Sequence, residues 1–508
     1  MPPFDRIADT DYLPALTAAM AEHAAEVDRI AGNPDPPTFA NTVAALDFAG
    51  LLLTRVSLVF FAKQSADTNE AVQAIAREAA PLLSAHTDRI RMNPLLFARV
   101  NALWDARSTL SLTDDEQRLL ELTRRDFVRG GALLDDHQKQ RLMAINERLA
   151  VLDVQFADRL LAENNAFALH INNEDELSGL PAPIIAAARE AAAAKGESGW
   201  RFTLHKPSYT PFMQYADHRG HRETLFNAYA GRGSRGDNND NRSGLIEMVR
   251  LRLERARLLG YPTHADYVLE KNMAKNPAGV RTLLDRLWTP ALAAARREAD
   301  DLQALMKRRG STEKLAPWDW FYWSEKQRRE KYDLSDTELR PYFELSRVQQ
   351  RAFEVATRLY GLRFTPADNV PVYRPEVKVF EVQEADGSHV GLLYVDYFPR
   401  PGKQQGAWMT EFRGQEIRNG AFIHPIVVNV FNFPPPSAGA PSLLNLEEVE
   451  TLFHEFGHAL HGLLSRVTWP SLSGTNVPRD FVELPSQFME NWCTDRRVLP
   501  LYAVHCET

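Results

Sequence analysis

The stretch Leu446-Glu-Glu-Val-Glu-Thr-Leu-Phe-His-Glu-Phe-Gly-His-Ala-Leu-His-Gly-Leu463 places Leu446, Val449, Leu452, Phe453, Phe456, Leu460 and Leu463 at helical spacing, with Leu464 continuing the stripe. Glu447, Glu450, Thr451, His454, His458, His461 and Ser465 form the opposing polar stripe. Asn445 and Glu448 read as an N-terminal cap pair. Positions i and i+4 share one helix face, so His454 and His458 can offer two imidazole nitrogens to one metal ion, and Glu455 between them points about 100° round the axis toward a bound water. The pattern is His-Glu-x-x-His, two ligands and a general base for zinc-assisted hydrolysis.

Such a site needs a third protein ligand and an open position. In the arrangement with a third histidine, a glycine follows the second histidine by three residues and the third histidine follows the first by ten. His461 and Leu464 occupy those places, so that class is excluded. A glutamate on a second helix is the other solution, and Pro478–Trp492 offers Glu483 and Glu490. Phe481, Leu484, Phe488 and Trp492 recur at helical spacing and are expected to face the core. Both glutamates lie off that stripe, and on periodicity either could face the metal.

The run Thr451-Leu-Phe-His-Glu-Phe-Gly-His-Ala-Leu-His-Gly462, followed by Ser473-Gly-Thr-Asn-Val-Pro-Arg-Asp-Phe-Val-Glu483, resembles the thimet-oligopeptidase (M3) family of zinc metallopeptidases. The resemblance implies that the third ligand is Glu483, that a single Zn²⁺ is held, and that a helical N-terminal part encloses a deep channel admitting short peptides. Asn33-Pro-Asp-Pro-Pro-Thr-Phe-Ala-Asn-Thr42, Pro317-Trp-Asp-Trp-Phe-Tyr322, Gly406-Ala-Trp-Met409 and His424-Pro-Ile-Val-Val-Asn429 are similar to the peptidyl-dipeptidase branch. Glu483-Leu-Pro-Ser-Gln-Phe-Met-Glu-Asn-Trp-Cys493 is closer to the oligopeptidase A branch. The resemblance implies release of C-terminal dipeptides; the alternatives are an endo-acting oligopeptidase or a zinc- and peptide-binding form without turnover. Family members carry a further Gly/Tyr-rich helical segment that is not present here, so a C-terminally truncated sequence is expected.

Around this centre the layout is mainly α with one small sheet, the arrangement of a zincin-like catalytic core. Helices are expected over Tyr12–Ile30, Phe39–Gln64, Asn69–Ile90, Asp114–Val128 and Asp135–Ala162, then a short strand Ala166–Ile171 and further helices from Ile184 to Met306. Val377–Val382 and Val390–Phe398 flank an Asp386-Gly387 turn and predict a hairpin. Ile426–Phe433 is a third strand, expected to pair with an extended substrate. The expected division is a helical N-terminal region 1–165, a helical middle region 166–370 and the catalytic core 371–508.

A content of 44% hydrophobic and 25% charged residues is that of a globular protein. A formal charge of -8 gives no reason to expect nucleic acid or an anionic membrane as partner. Cys493 and Cys506 are the two cysteines, which fits a reducing, cytoplasmic setting. No run of 18 apolar residues and no export signal is visible, and a monomer is expected. Gly231-Arg-Gly-Ser-Arg-Gly236 follows a helix rather than a strand and reads as a helix end with a solvated linker, not a dinucleotide loop. Trp318, Trp320, Phe321, Tyr322 and Trp323 are expected to be core. Glu450 and Asp480 are candidate acceptors for a ligand imidazole, and His461 and Gly474 are candidates for the substrate side.

Overall fold

The computed structural model describes residues 1–333, 336–436 and 441–508. The first part of the chain is helical: Tyr12–Ala31, Leu51–Ala66, Glu70–Arg91, Pro94–Ala106, Asp114–Arg129 and Asp136–Ala166. The starts of the last four follow from side chains that satisfy the otherwise unpaired amides of a first turn. Asn69 accepts from the Val72 N–H, and Thr113 with Glu116 and Asp135 with Gln138 form reciprocal capping boxes. Pro94–Ala106 lies outside the sequence-predicted helices, although Asn93 caps it and Pro94 occupies its first position.

The single helix expected over Phe39–Gln64 is two. Gly50 sits in the left-handed region at φ 70°, its N–H donates to Glu26 Oε2 at 2.6 Å, and a new helix starts at Leu51. The segment Ala40–Ala66 is long and apolar enough to cross a membrane by length and composition, and in the structure Val59, Phe60, Ala62 and Ala66 pack into a core.

Two short antiparallel strands, β1 (Ala168–Ile171) and β2 (Trp200–Thr203), open the middle part. β2 interrupts the helices expected from Ile184 onward. Helices follow at Lys206–Tyr215, Arg219–Ala230, Arg242–Leu258 and Pro277–Arg308, then Trp320–Tyr332. Of the aromatic run around its start only Trp318 packs against a core: Phe321 is exposed, and Trp320, Tyr322 and Trp323 are half-buried. What is buried there is Asp319, paired with Arg219 and Arg222. Gly231–Gly236 follows the helix Arg219–Ala230 as a loop.

The last part of the chain holds a five-stranded sheet of β3 (Arg363–Pro366), β4 (Lys378–Gln383), β5 (His389–Asp396), β6 (Trp408–Arg413) and β9 (Ile426–Val430), ordered β3-β4-β5-β9-β6; β7 (Glu416–Arg418) and β8 (Ala421–Ile423) form a separate hairpin. The Asp386-Gly387 turn joins β4 and β5. β9 runs parallel to β5 and antiparallel to β6. Successive side chains point to opposite faces. Phe380, Val382, Leu393, Val395 and Val427 meet the motif helix Leu446–Leu463, whereas Val379, Tyr394, Ile426, Val428 and Val430 meet Tyr12, Leu16, Val59 and Phe60.

This corrects the reading of Ile426–Phe433. β9 is paired along both edges and wholly buried, Asn429 included, the reason its residues are otherwise all apolar, so it has no edge to offer a substrate. Among the described residues, the strand with an open edge beside it is β6. The loop leading into β6 is pinned from three sides: the Thr68 N–H donates to Gly402 O at 2.7 Å, the Gln404 N–H to Ser65 O at 2.9 Å, and Gln405 Nε2 to Leu204 O at 3.2 Å. Within it the buried Lys403 ammonium donates to Asp396 Oδ1 at 2.8 Å. Burial lowers the Lys403 pKa to about 8.

Candidate active site

The motif helix starts at Leu446 behind the reciprocal Asn445–Glu448 cap and buries Val449, Leu452, Phe453, Phe456, Leu460 and Leu463. That fixes its rotation and leaves the two motif histidines together on one face, ring centroids 4.9 Å apart. The second element is the short helix Glu483–Glu490. Glu483 Oε2 lies 3.3 Å from His454 Nε2 and 3.1 Å from His458 Nε2. One ligand atom from each of the three residues falls within 4.8 Å of the others. Two imidazole nitrogens and one carboxylate oxygen are the donor set of a catalytic zinc site with a free position.

The residues around them orient these groups. Glu490 Oε1 is 2.5 Å from His454 Nδ1, so a proton on Nδ1 leaves the Nε2 lone pair facing Glu483. Ser486 Oγ, fully buried, donates to Glu483 Oε2 at 2.9 Å. His458 Nδ1 is buried without a partner among the described residues. Burial, more than any neighbour, lowers the His458 pKa and favours the neutral imidazole that a metal requires.

Glu455 is 5% exposed, and its Oε2 has no partner among the described residues. Burial is the main cause that raises its pKa to about 7; the Glu483 carboxylate adds to this and His454 opposes it. A buried carboxyl poised near neutrality is suited to accept and return a proton.

Not every candidate joins the cluster. Glu450 is exposed, and the acceptor role expected of it at His454 falls to Glu490. Asp480 accepts from the Met273 N–H at 2.6 Å, tying the middle part of the chain to the turn before Glu483. His461 lies outside the three-residue group, its Nδ1 buried without a partner among the described residues. With Tyr360, Ser465, Gly474 and Phe488 it lines a cavity of about 360 Å³. Gly474 donates its N–H to Ser465 Oγ at 3.0 Å.

Of the stripe expected to be core, Trp492 packs against one and the other three residues do not. Phe481, Leu484 and Phe488 are exposed at 41%, 61% and 51%, and Ser486, Met489 and Cys493 are the buried residues. The reason is Gly457: an added Cβ there would lie 2.7 Å from Pro485 O and Ser486 Cα, so the face carrying Ser486 and Met489 turns inward. Gly457 and Ser486 escaped the sequence reading; the small residue inside the motif was the available signal. Glu490 stands seven residues after Glu483, two helical turns, a spacing that places both on one face.

A second cavity, of about 100 Å³, opens at the start of the motif helix. Lys206 of the middle part, Gly406 and Ala407 at the entry to β6, Asn432, and Glu447 and Thr451 of the motif helix line it.

Comparison with known proteins gives the family. The model of peptidase family M3 matches residues 212–508. The chain is 40% identical over 509 residues to dipeptidyl carboxypeptidase of Escherichia coli (strain K12), covering all of this chain and 74% of that protein. It is 35% identical over 518 residues to oligopeptidase A of Salmonella typhimurium, covering all of this chain and 76% of that protein. It is 33% identical over 530 residues to a probable cytosolic oligopeptidase A of Arabidopsis thaliana, covering all of this chain and 74% of that protein. A buried helix bearing the His-Glu-x-x-His pattern, a glutamate brought to it from a second helix, and these similarities lead to one conclusion: the chain belongs to peptidase family M3 and is a metallopeptidase.

Proposed function

We propose that this chain hydrolyses short peptides with one zinc ion held by His454, His458 and Glu483, and releases dipeptides from their C-termini. The observation that carries the reading is the convergence of His454 Nε2, His458 Nε2 and Glu483 Oε2 beside the buried, unpartnered Glu455 carboxyl. The chemistry such an ion supplies is a lowered pKa for its water and a polarised scissile carbonyl. Glu455 accepts the proton of the attacking water and delivers it to the leaving amine. Glu490 holds His454 in the tautomer that presents Nε2, and Ser486 holds Glu483. An extended peptide adds to the open edge of β6, which reads main chain and tolerates varied sequence.

Dipeptide release is supported by 40% identity to a dipeptidyl carboxypeptidase. The endo-acting alternative is supported by 35% identity to oligopeptidase A. Binding without turnover is disfavoured by Glu455, a general base that a pure binder does not need. We place the protein in the cytosol as a monomer without nucleic-acid or membrane partners, a reading supported by its net charge of -8 and its two free cysteines. The test is mass spectrometry of the products from a mixed pool of short peptides with zinc present. Dipeptides from C-terminal ends support the proposal, cleavage at internal bonds favours the oligopeptidase, and intact peptides defeat hydrolysis.

A further inference from the structure

The direction in which a peptide crosses this site follows from the packing of the sheet on the motif helix. At one end of β9, an added Cβ on Gly462 would lie 3.1 Å from Val427 Cγ2. Beyond its other end, Phe433 shares the 100 Å³ cavity with Asn445 and Thr451. β9 is therefore antiparallel to the motif helix, and β6, antiparallel to β9, runs in the same direction as that helix. Antiparallel pairing is the more stable way to add a strand. A peptide added so to β6 has its C-terminal end toward Gly406, at the start of the motif helix.

Distance agrees. Thr451 and Glu447 precede His454 by three and seven residues, which at 1.5 Å per residue places them roughly 4.5 and 10 Å along the axis from the metal-ligand group. Two extended residues beyond the scissile bond span roughly 7 Å. The end of a dipeptide leaving group thus falls within the cavity that Thr451 and Glu447 line. Two cations border it. Arg340 is committed to Leu443 O at 3.1 Å and Glu448 at 3.4 Å. Lys206, the first residue of the helix Lys206–Tyr215, is exposed and makes no ion pair among the described residues.

We propose that Lys206 is a specificity-determining residue that binds the free α-carboxylate of the substrate two residues beyond the scissile bond. The inference rests on the reading of the site as a dipeptide-releasing peptidase and assigns one side chain to that preference. Lys206 belongs to the helix Lys206–Tyr215, so an element other than the motif helix reads the peptide end. Glu447 shares the cavity and opposes an incoming carboxylate.

The experiment is calorimetric binding of N-acetylated tetra-alanine, as free acid and as C-terminal amide, to the zinc-loaded Glu455→Gln protein, whose turnover is slowed by roughly 10²- to 10⁴-fold. The free acid binds roughly tenfold more tightly, the preference one well-placed charge contact confers. Adding Lys206→Met makes the two affinities converge, Lys206→Arg retains the preference, and Glu447→Gln tightens the acid alone. Equal binding of acid and amide with Lys206 present, an unchanged preference in Lys206→Met, or no measurable binding of either peptide overturns the proposal. Failure of the peptidase reading is a separate result: the zinc-loaded chain with Glu455 intact leaves both peptides uncleaved, while the binding comparison is still read. Lys206 is exposed, so its replacement does not disturb the core.

Discussion

Gly457 lies against Pro485, with room for no side chain between the motif helix and the carbonyl of the helix that brings Glu483. Gly457→Ala forces the two helices apart by a few tenths of an ångström or more and moves Glu483 relative to both histidines. The expected result is loss of about 1–3 kcal/mol of stability by overpacking together with roughly 10-fold to 100-fold weaker zinc binding. Thermal unfolding with and without zinc, and competition with a chelator, measure the two effects.

Glu455→Gln keeps the shape of the side chain but removes its capacity to take a proton. Zinc content stays stoichiometric after dialysis and hydrolysis falls by roughly 10²- to 10⁴-fold. Activity within a few-fold of the parent would remove Glu455 from the proton-transfer role.

Glu483→Ala removes one of three protein ligands, and zinc is lost on dialysis. If stoichiometric zinc survives, Glu490 becomes the third ligand instead. Glu490→Ala removes the acceptor at His454 Nδ1, and zinc affinity drops by roughly 10- to 100-fold while the metal is still bound at saturating zinc. Glu490→Gln, which keeps an oxygen at that position, retains most of the affinity.

Asp88 offers a test of stability against pH remote from the site. Burial raises its pKa to about 6, against the opposing hydrogen bonds from Asn146 Nδ2 at 2.9 and 3.1 Å. The folded value lies above the unfolded one, so the folded state binds the extra proton and loses stability as pH rises from about 4 to about 6. Asp88→Asn therefore stabilises the protein at pH 7.5 by about 1–2 kcal/mol and changes little at pH 4, read from urea midpoints at the two values.

The sequence displayed what depends on neighbours along the chain. The motif helix, its Asn445–Glu448 cap and the hairpin around Asp386-Gly387 are local patterns of period and turn chemistry, and the structure carries all three. What was not legible depends on pairing between distant segments. Nothing within Ile426–Val430 says that β5 and β6 occupy both its edges, because a mostly apolar run describes burial and not neighbours. Phe481, Leu484 and Phe488 keep helical spacing whether their face meets a core or solvent, and the close approach at Gly457 decides against the core. Glu490 was visible only as a rival ligand to Glu483. Its contact with the far nitrogen of His454 depends on the angle between two helices, which no spacing records.

One core joins Phe60 to Val428 and Val430, and that bears on how the chain is made. A ribosome adds roughly 5–20 residues per second, so the helix Leu51–Ala66 is complete for something like 20–70 s before β9 has been synthesised to cover it. During that interval Val59, Phe60 and Ala62 lack the part of their native cover that β9 supplies. The nascent protein is therefore expected to lean on a holding chaperone, and pairings of such sequence separation are slow to form once the whole chain is free.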